Sequence, residues 1–406
     1  MCKRLQIYCH YQLVKKIKVL RIINRFNLGG PTYNATFLTK FLGDEFETML
    51  IGGLPEEGEA DSLHILEQYG VEPVLLPEMQ RIPNLQSDRK AYKKIKQIIQ
   101  EFQPDIVHTH AAKAGALGRK AARAAKVPII VHTYHGHVFS GYFNPLKTSI
   151  YKTIERNLAK KSSAIIAISD LQKEELVKKH KICSSEQTQV ISLGFDLEKF
   201  HANKDEKRVK TRANYNLADN EIAIAITGRL APIKNHLFFI DVLKEVAFLT
   251  KKQLRIFIVG DGTERPIIEQ EIATFNWPAN IRFEMTSWIK DIDAFNPGMD
   301  LICLCSLNEG TPVSLIEAEA ANVPVLSTDV GGVKDVVLDK KTGLIVTSNT
   351  KNEYKEKLVA LIENDQLRNS LSEAGWDFVK DNFHYTRLVK DVRNLYFKLL
   401  NENNAI

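Results

Sequence analysis

Two series of short β-branched runs, each broken by helical stretches, set the tightest limit on what this chain folds into. The first runs IKVLRII (17–23), FETMLIGG (46–53), EPVLL (72–76), PDIVHTH (104–110), PIIVHTYH (128–135) and SAIIAIS (163–169). Helical stretches such as 88–102 and 113–126 separate them. After VISLGFDLEKF (190–200) the pattern restarts with EIAIAITGRL (221–230), LRIFIVGDG (254–262), IRFEM (281–285), DLICLCS (300–306) and VPVLSTD (323–329). Strands alternating with helices give βαβ units and a parallel sheet. The expectation is an α/β protein of two doubly wound, Rossmann-like domains facing each other across a cleft. Their spans are 1–194 and 195–384, with a last helical stretch, 385–406, free to pack back on the first.

Bulk numbers agree. The chain has 406 residues, 44% hydrophobic and 26% charged, enough for two domains. No apolar run reaches the ~18–20 residues of a membrane span. The start is basic and aromatic without a clean apolar core, so it is a poor signal peptide; residues 1–16 read as an arm or an upstream-start artefact. Five scattered cysteines (2, 9, 183, 303 and 305) show no metal-finger spacing and suit a reducing, cytoplasmic setting. Residues 1–195 carry 28 basic against 18 acidic side chains, and residues 196–406 carry 27 against 31. A basic first half suits an anionic membrane face or a phosphorylated substrate, and an uneven scatter of surface lysines gives the same count. Nucleic acid is not expected, because the basic residues are not interleaved with stacking aromatics.

In open α/β sheets ligands bind beyond the carboxyl ends of the strands. DLICLCS ends in such a place. Thr311 is a good N-cap and Pro312 fits the first helical position. The free amides of Val313 and Ser314 then form an anion site. Glu309 lies in the loop before the cap. Glu317 lies one to two turns into the helix, and acceptor-only carboxylates suit hydroxyl-rich ligands. A loop acid and an exposed helix acid would look the same, and Glu319, about 200° round the helix, is the exposed control. TGRLAPIKNH (227–236) places Arg229 and Lys234 at another strand end, where two cations neutralise a diphosphate or simply decorate a surface. NRFNLGGPTYN (24–34) offers Gly29 and Gly30 for close backbone approach, with a helix opening at Pro31 or Thr32; it is not GxGxxG, and a simple tight turn fits as well. HTYHGHVF (132–139) crowds three histidines, and His108 and His110 close the neighbouring strand. These are hydrogen-bonding groups or ligands, but no acid completes a metal site. His135 is placed to touch a reacting sugar, and Lys113 to meet an anionic acceptor. Asp291 and Asp293 form an acid-x-acid pattern in a surface helical context, so no metal is assigned.

Together these segments resemble the family 4 retaining glycosyltransferases, of GT-B fold, over nearly the whole chain from Lys18. The carriers are EGTPVSLIEAEAANVPVLSTDVGGVKDVV with GRLAPIKN upstream and VGDG between, and, in the first half, RFNLGGP, HTHAAKAGALGRKAA and VHTYHGHVF. The resemblance implies that Arg229 and Lys234 bind the donor diphosphate, Glu309 the sugar hydroxyls and Glu317 the ribose. Backbone at Gly29–Gly30 and Val313–Ser314 contacts phosphate, with Gly262 and Thr311 in the donor set. His135 touches the donor sugar; Asn27, His110 and Lys113 lie on the acceptor side. The implied catalytic set is His135, Glu309, Arg229 and Lys234, with no metal or cofactor required. The implied activity is transfer from a nucleotide sugar, a UDP-sugar, to a lipid-linked or polysaccharide acceptor, by a cytoplasmic enzyme peripheral to the membrane. A nucleotide-sugar epimerase of the same fold and a non-catalytic nucleotide-sugar-binding protein are the alternatives.

Overall fold

The computed structural model describes residues 15–27, 29–55, 62–80, 82, 84–136 and 145–404. The N-terminal residues 1–14 and His137 lie outside these. Among the described residues two sheets form. The first holds β1 (Ile17–Arg25), β2 (Phe46–Gly53), β3 (Val74–Leu75), β4 (Ile106–His110), β5 (Ile129–Tyr134), β6 (Ala164–Ala167) and β7 (Thr188–Val190), in the order β3-β2-β1-β4-β5-β6-β7. The second holds β8 (Glu221–Thr227), β9 (Gln253–Val259), β10 (Ile281–Met285), β11 (Leu301–Leu304), β12 (Val325–Thr328) and β13 (Gly343–Val346), in the order β10-β9-β8-β11-β12-β13. Every pairing in the second sheet is parallel, as are those joining β3, β2, β1, β4 and β5.

The reason lies in the strand sequences. A parallel sheet is covered on both faces, so its strands need apolar side chains on both. In β8, Ile222, Ile224 and Ile226 enter one core with Phe239 and Leu243, while Ala223 and Ala225 enter the other with Phe257 and Leu315. β11 repeats the alternation: Cys303 sits with the isoleucines and Leu304 with the alanines. Two short strands, β7 and β13, were not expected from the sequence.

The chain divides into two compact units. One runs through Ile166 and takes in His180–Gln189 and Val389 onward; the other comprises Ala167–Lys179 and Val190–Leu388. In the first unit the end of the helix Tyr385–Asn404 supplies Tyr396 to His108 and Arg393 to Glu45. Among the described residues no helix is long and apolar enough to cross a membrane.

In each sheet the strand order reverses once: between β1 and β4, and between β8 and β11. At such a switch point the flanking loops turn away to opposite sides and leave a crevice at the carboxyl ends. The loops that follow β1, β4, β8 and β11 are therefore where the fold positions chemistry.

Candidate functional site

Lys234 and Glu309 meet at the second switch point. Lys234 ends a short 3-10 turn, Pro232–Lys234, in the loop after β8; Asn235 follows in the left-handed region that Asn tolerates. Glu309 lies in the loop after β11. Lys234 Nζ donates to Glu309 Oε1 at 2.6 Å, and Ser306 Oγ donates to the same oxygen at 2.5 Å. Among the described residues Oε2 makes no hydrogen bond. Arg229, five residues before Lys234, is exposed and makes no ion pair among them. One cation is thus held by a carboxylate and the other is open to solvent.

The helix after β11 is Val313–Ala320, with Pro312 in the N-cap position and no side-chain cap. This corrects the expectation that Thr311 caps it. A residue before proline is steered away from helical angles, and Pro312 itself is extended at ψ 90, so the helix begins one residue later. Thr311 stays half-buried in the loop. The amides of Val313 and Ser314 have no carbonyl one turn earlier to bond, so they remain available at the positive end of the helix. Glu317, four residues on, is about 6 Å farther along the axis. It is half-buried, and desolvation pushes its carboxyl up to about 7, with Lys199 pulling down and Asp293 pushing up.

Glu319 is not the exposed control. It is fully buried and accepts a hydrogen bond from Thr342 Oγ1 at 2.6 Å. The helix is covered on its far side as well: a Cβ on Gly375, at the start of the helix Gly375–Phe383, would lie 2.8 Å from Glu319 O. Burial holds the Glu319 carboxyl well above its usual range.

Backbone bonds tie the loops to one another. Leu307 N–H donates to Ile233 O at 2.9 Å, Leu230 N–H to Asp261 O at 2.9 Å, and Gly332 N–H to Gly310 O at 3.1 Å. Gly262 belongs to this mesh: a Cβ there would lie 2.3 Å from Leu230 O. Sequence reasoning gave no role to Gly331 or Ser306. Gly331 has φ +52, and a Cβ there would lie 1.8 Å from Glu309 O. The paired glycines of DVGG were the available signal. Asp291 precedes the short helix Ile292–Phe295, and Asp293 pairs with Lys207 at 2.8 Å.

In the first unit, the helix after β1 is Gly30–Lys40, opening one residue earlier than expected with Gly29 at its cap. Thr32 Oγ1 donates to Asn27 O at 2.9 Å. Lys113 is already compensated: it pairs with Asp88 at 2.6 Å and donates to the carbonyls of Gln80 and Ile82. His110 is fully buried at the end of β4, and half-buried His135 follows β5. His110 Nδ1 and His135 Nε2 share a hydrogen bond at 3.0 Å. Burial lowers the His135 pKa to about 3 and holds His108, His110 and His132 well below their ordinary value, so all four rings are neutral at pH 7. Beneath them Arg119 pairs with Glu155 at 2.6 Å, and Tyr134 donates to the same carboxylate at 2.5 Å. Among the described residues no group of three histidine, cysteine or acidic side chains is arranged to hold a metal ion.

Comparison with known proteins supplies the family. The model described as "Glycosyltransferase Family 4" matches residues 39–199, and that described as "Glycosyl transferases group 1" matches residues 207–377. The chain is 28% identical over 333 residues to the UDP-Gal:alpha-D-GlcNAc-diphosphoundecaprenol alpha-1,3-galactosyltransferase of Escherichia coli, covering 81% of this chain and 84% of that protein. It is 26% identical over 355 residues to the capsular polysaccharide biosynthesis glycosyltransferase CapM of Staphylococcus aureus, covering 84% and 89%. Its fold matches that of Anabaena HepE in complex with UDP at a TM-score of 0.79 and 20% identity, over 94% of this chain and all of that one. The glycosyltransferase WaaG matches at 0.70 and 16%, over 93% and 99%. With both sheets, their switch points and both halves of the sequence in agreement, the chain belongs to glycosyltransferase family 4, enzymes of GT-B fold that use nucleotide sugars in glycan synthesis.

Proposed function

We propose that the chain is a retaining glycosyltransferase that moves a sugar from a UDP-sugar to a lipid-linked or polysaccharide acceptor in cell-surface glycan synthesis. The observation that carries this reading is the meeting of Lys234, Glu309 and the first amides of the helix Val313–Ala320 around one switch point, with exposed Arg229 on the loop that bears Lys234. The diphosphate takes Arg229, Lys234 and the amides of Val313 and Ser314. Thr311 and the backbone at Gly262 flank it. Glu309 Oε2, which makes no hydrogen bond among the described residues, accepts from a sugar hydroxyl, and Glu317 from the ribose. On the first unit the backbone at Gly29–Gly30 approaches phosphate, His135 meets the sugar, and Asn27, His110 and Lys113 lie on the acceptor side.

The chemistry follows from charge. The bond between C1 and the phosphate oxygen breaks, and negative charge grows on the leaving diphosphate. Fixed cations and helix amides stabilise that charge without reorganising. The positive charge on the sugar ring is oxocarbenium-like. Neutral, low-pKa His135 is a poor base. The acceptor hydroxyl therefore attacks from the departing side and gives its proton to the leaving phosphate oxygen. The new C1–O bond keeps the original configuration.

UDP as the carrier is supported by the named UDP-Gal donor of the E. coli relative and by the UDP complex of HepE. The diphosphoundecaprenol acceptor of that relative supports a lipid-linked acceptor. A contact with anionic lipid is part of the reading. The helix Pro145–Ala159 exposes Leu146, Ile150 and Ile154 at four-residue spacing, beside Lys147 and Lys152. The test is a screen of UDP-sugars with diphospholipid and oligosaccharide acceptors, with the product's anomeric configuration read by NMR. Retained configuration with a UDP-sugar supports the proposal; inverted product, or conversion of the UDP-sugar without any acceptor, overturns it.

A further inference from the structure

A column of three histidine rings, His108, His110 and His135, runs from the helix Tyr385–Asn404 to the end of β5. His108 is clamped at both nitrogens, Nδ1 to Tyr396 OH at 2.6 Å and Nε2 to Thr133 Oγ1 at 2.7 Å. His110 stacks on it with ring centroids 4.3 Å apart, and His135 stacks on His110 at 5.2 Å. Among the described residues the outer nitrogens, His110 Nε2 and His135 Nδ1, have no partner.

The single bond between His110 and His135 allows two arrangements. If His135 Nε2–H donates, His110 must carry its proton on Nε2, leaving an orphan N–H in a fully buried ring. If His110 Nδ1–H donates, the orphan N–H moves to His135 Nδ1, which is also a buried atom but belongs to the less enclosed residue of the two. Orphan buried N–H groups are rare in folded proteins, so the arrangement that puts one on the less enclosed residue is favoured. The fully buried Arg21 guanidinium, whose charge bears on His110, also favours a lone pair over an N–H on the unengaged His110 nitrogen.

We infer that His110 is a positioning residue: it donates to His135 and holds that ring in the Nδ1–H form, so that His135 meets the donor as a hydrogen-bond donor to a sugar or phosphate oxygen. The inference rests on the reading that His135 touches the donor. It deepens that reading by excluding His135 as the group that accepts the acceptor's proton.

Two measurements on the full chain test it. Long-range proton–nitrogen NMR on ring-labelled histidine reports the His135 tautomer directly, with assignment by His135→Gln. The Nδ1–H form is expected, and the Nε2–H form overturns the inference even if the enzyme is fully active. In the second, His110→Asn keeps an amide nitrogen near the Nδ1 position, whereas His110→Leu keeps none. Relative to wild type, kcat should fall about 10–100-fold in His110→Leu with donor KM within about threefold, and recover to within about fivefold in His110→Asn. Equal losses in two variants that melt like wild type overturn it; where a variant does not fold, the wild-type spectrum decides. Full transfer by His135→Ala would instead remove the sugar contact, leaving the tautomer result standing.

Discussion

Lys234 and Glu309 are 75 residues apart in the chain, yet their charged atoms stand 2.6 Å apart at the reversal of the second sheet. On the proposed reading, a nucleotide diphosphate arriving there would compete with Glu309 for the ammonium. Displaced from Lys234, the carboxylate would be free to take a hydroxyl. The ion pair would then hold the two proposed donor contacts in a mutually satisfied form until the substrate replaced it.

Lys234→Ala and Glu309→Ala should each lower kcat/KM by about 10²–10³, with circular dichroism unchanged. The double variant should lose less than the sum of the two, because they share one site. A UDP-release assay reads all three, and near-normal turnover in both single variants would reject the assignment.

Gly331→Ala should destabilise the second unit by about 2–4 kcal/mol, because its Cβ would occupy the place of Glu309 O. Gly310→Ala, whose Cβ would meet nothing within 4 Å, is the control and should stay within about 0.5 kcal/mol. Denaturant melts separate them. Equal midpoints would mean that the DVGG turn does not fix Glu309.

Glu319 binds its proton more tightly folded than unfolded, since burial raises its pKa. Its contribution is fully present below the unfolded pKa of about 4.3 and fades as pH rises toward the folded value. Glu319→Gln removes that proton uptake. The stability of wild type relative to this variant should fall by about 1.4 kcal/mol for each pH unit above about 5 while the acid stays protonated. Urea melts at pH 5, 6 and 7 check the slope; a constant difference would show that Glu319 is ionised in the fold.

Glu317 stands near 7 without ligand. Accepting ribose hydroxyls favours the carboxylate, so UDP binding should release protons near neutral pH and tighten as pH rises from 6 to 8. Calorimetry in buffers of different ionisation enthalpy measures the release. Glu317→Gln should abolish that part of it, and an unchanged proton count would place Glu317 outside the ribose contact.

Much of the architecture was legible because parallel strands leave continuous apolar runs; β8 and β9 are plain in the sequence. β7 and β13 were not: TQV in β7 is mostly polar, and GLIV in β13 follows directly on the turn residues DKKT without a bounded apolar run of its own. Glu319 was misjudged for a related reason. A helical wheel supposes one buried face, and nothing local shows that the helix Gly375–Phe383 covers the other. Arg229, Lys234 and Glu309 after strand ends, and Glu317 in the helix that follows, were nameable as candidates. The Lys234–Glu309 bond and the His110–His135 bond were not, because strand order, which brings distant loops together, is absent from local pattern.

The mesh of main-chain bonds between the loops after β8, β9, β11 and β12 bears on how such an enzyme can change its sugar. Leu307 to Ile233, Leu230 to Asp261 and Gly332 to Gly310 set the length of each loop against its neighbour. One inserted residue would break the register of several at once. New donor preferences in this lineage should therefore arise by exchanging side chains at constant loop length, and directed libraries here should randomise identity while leaving spacing untouched.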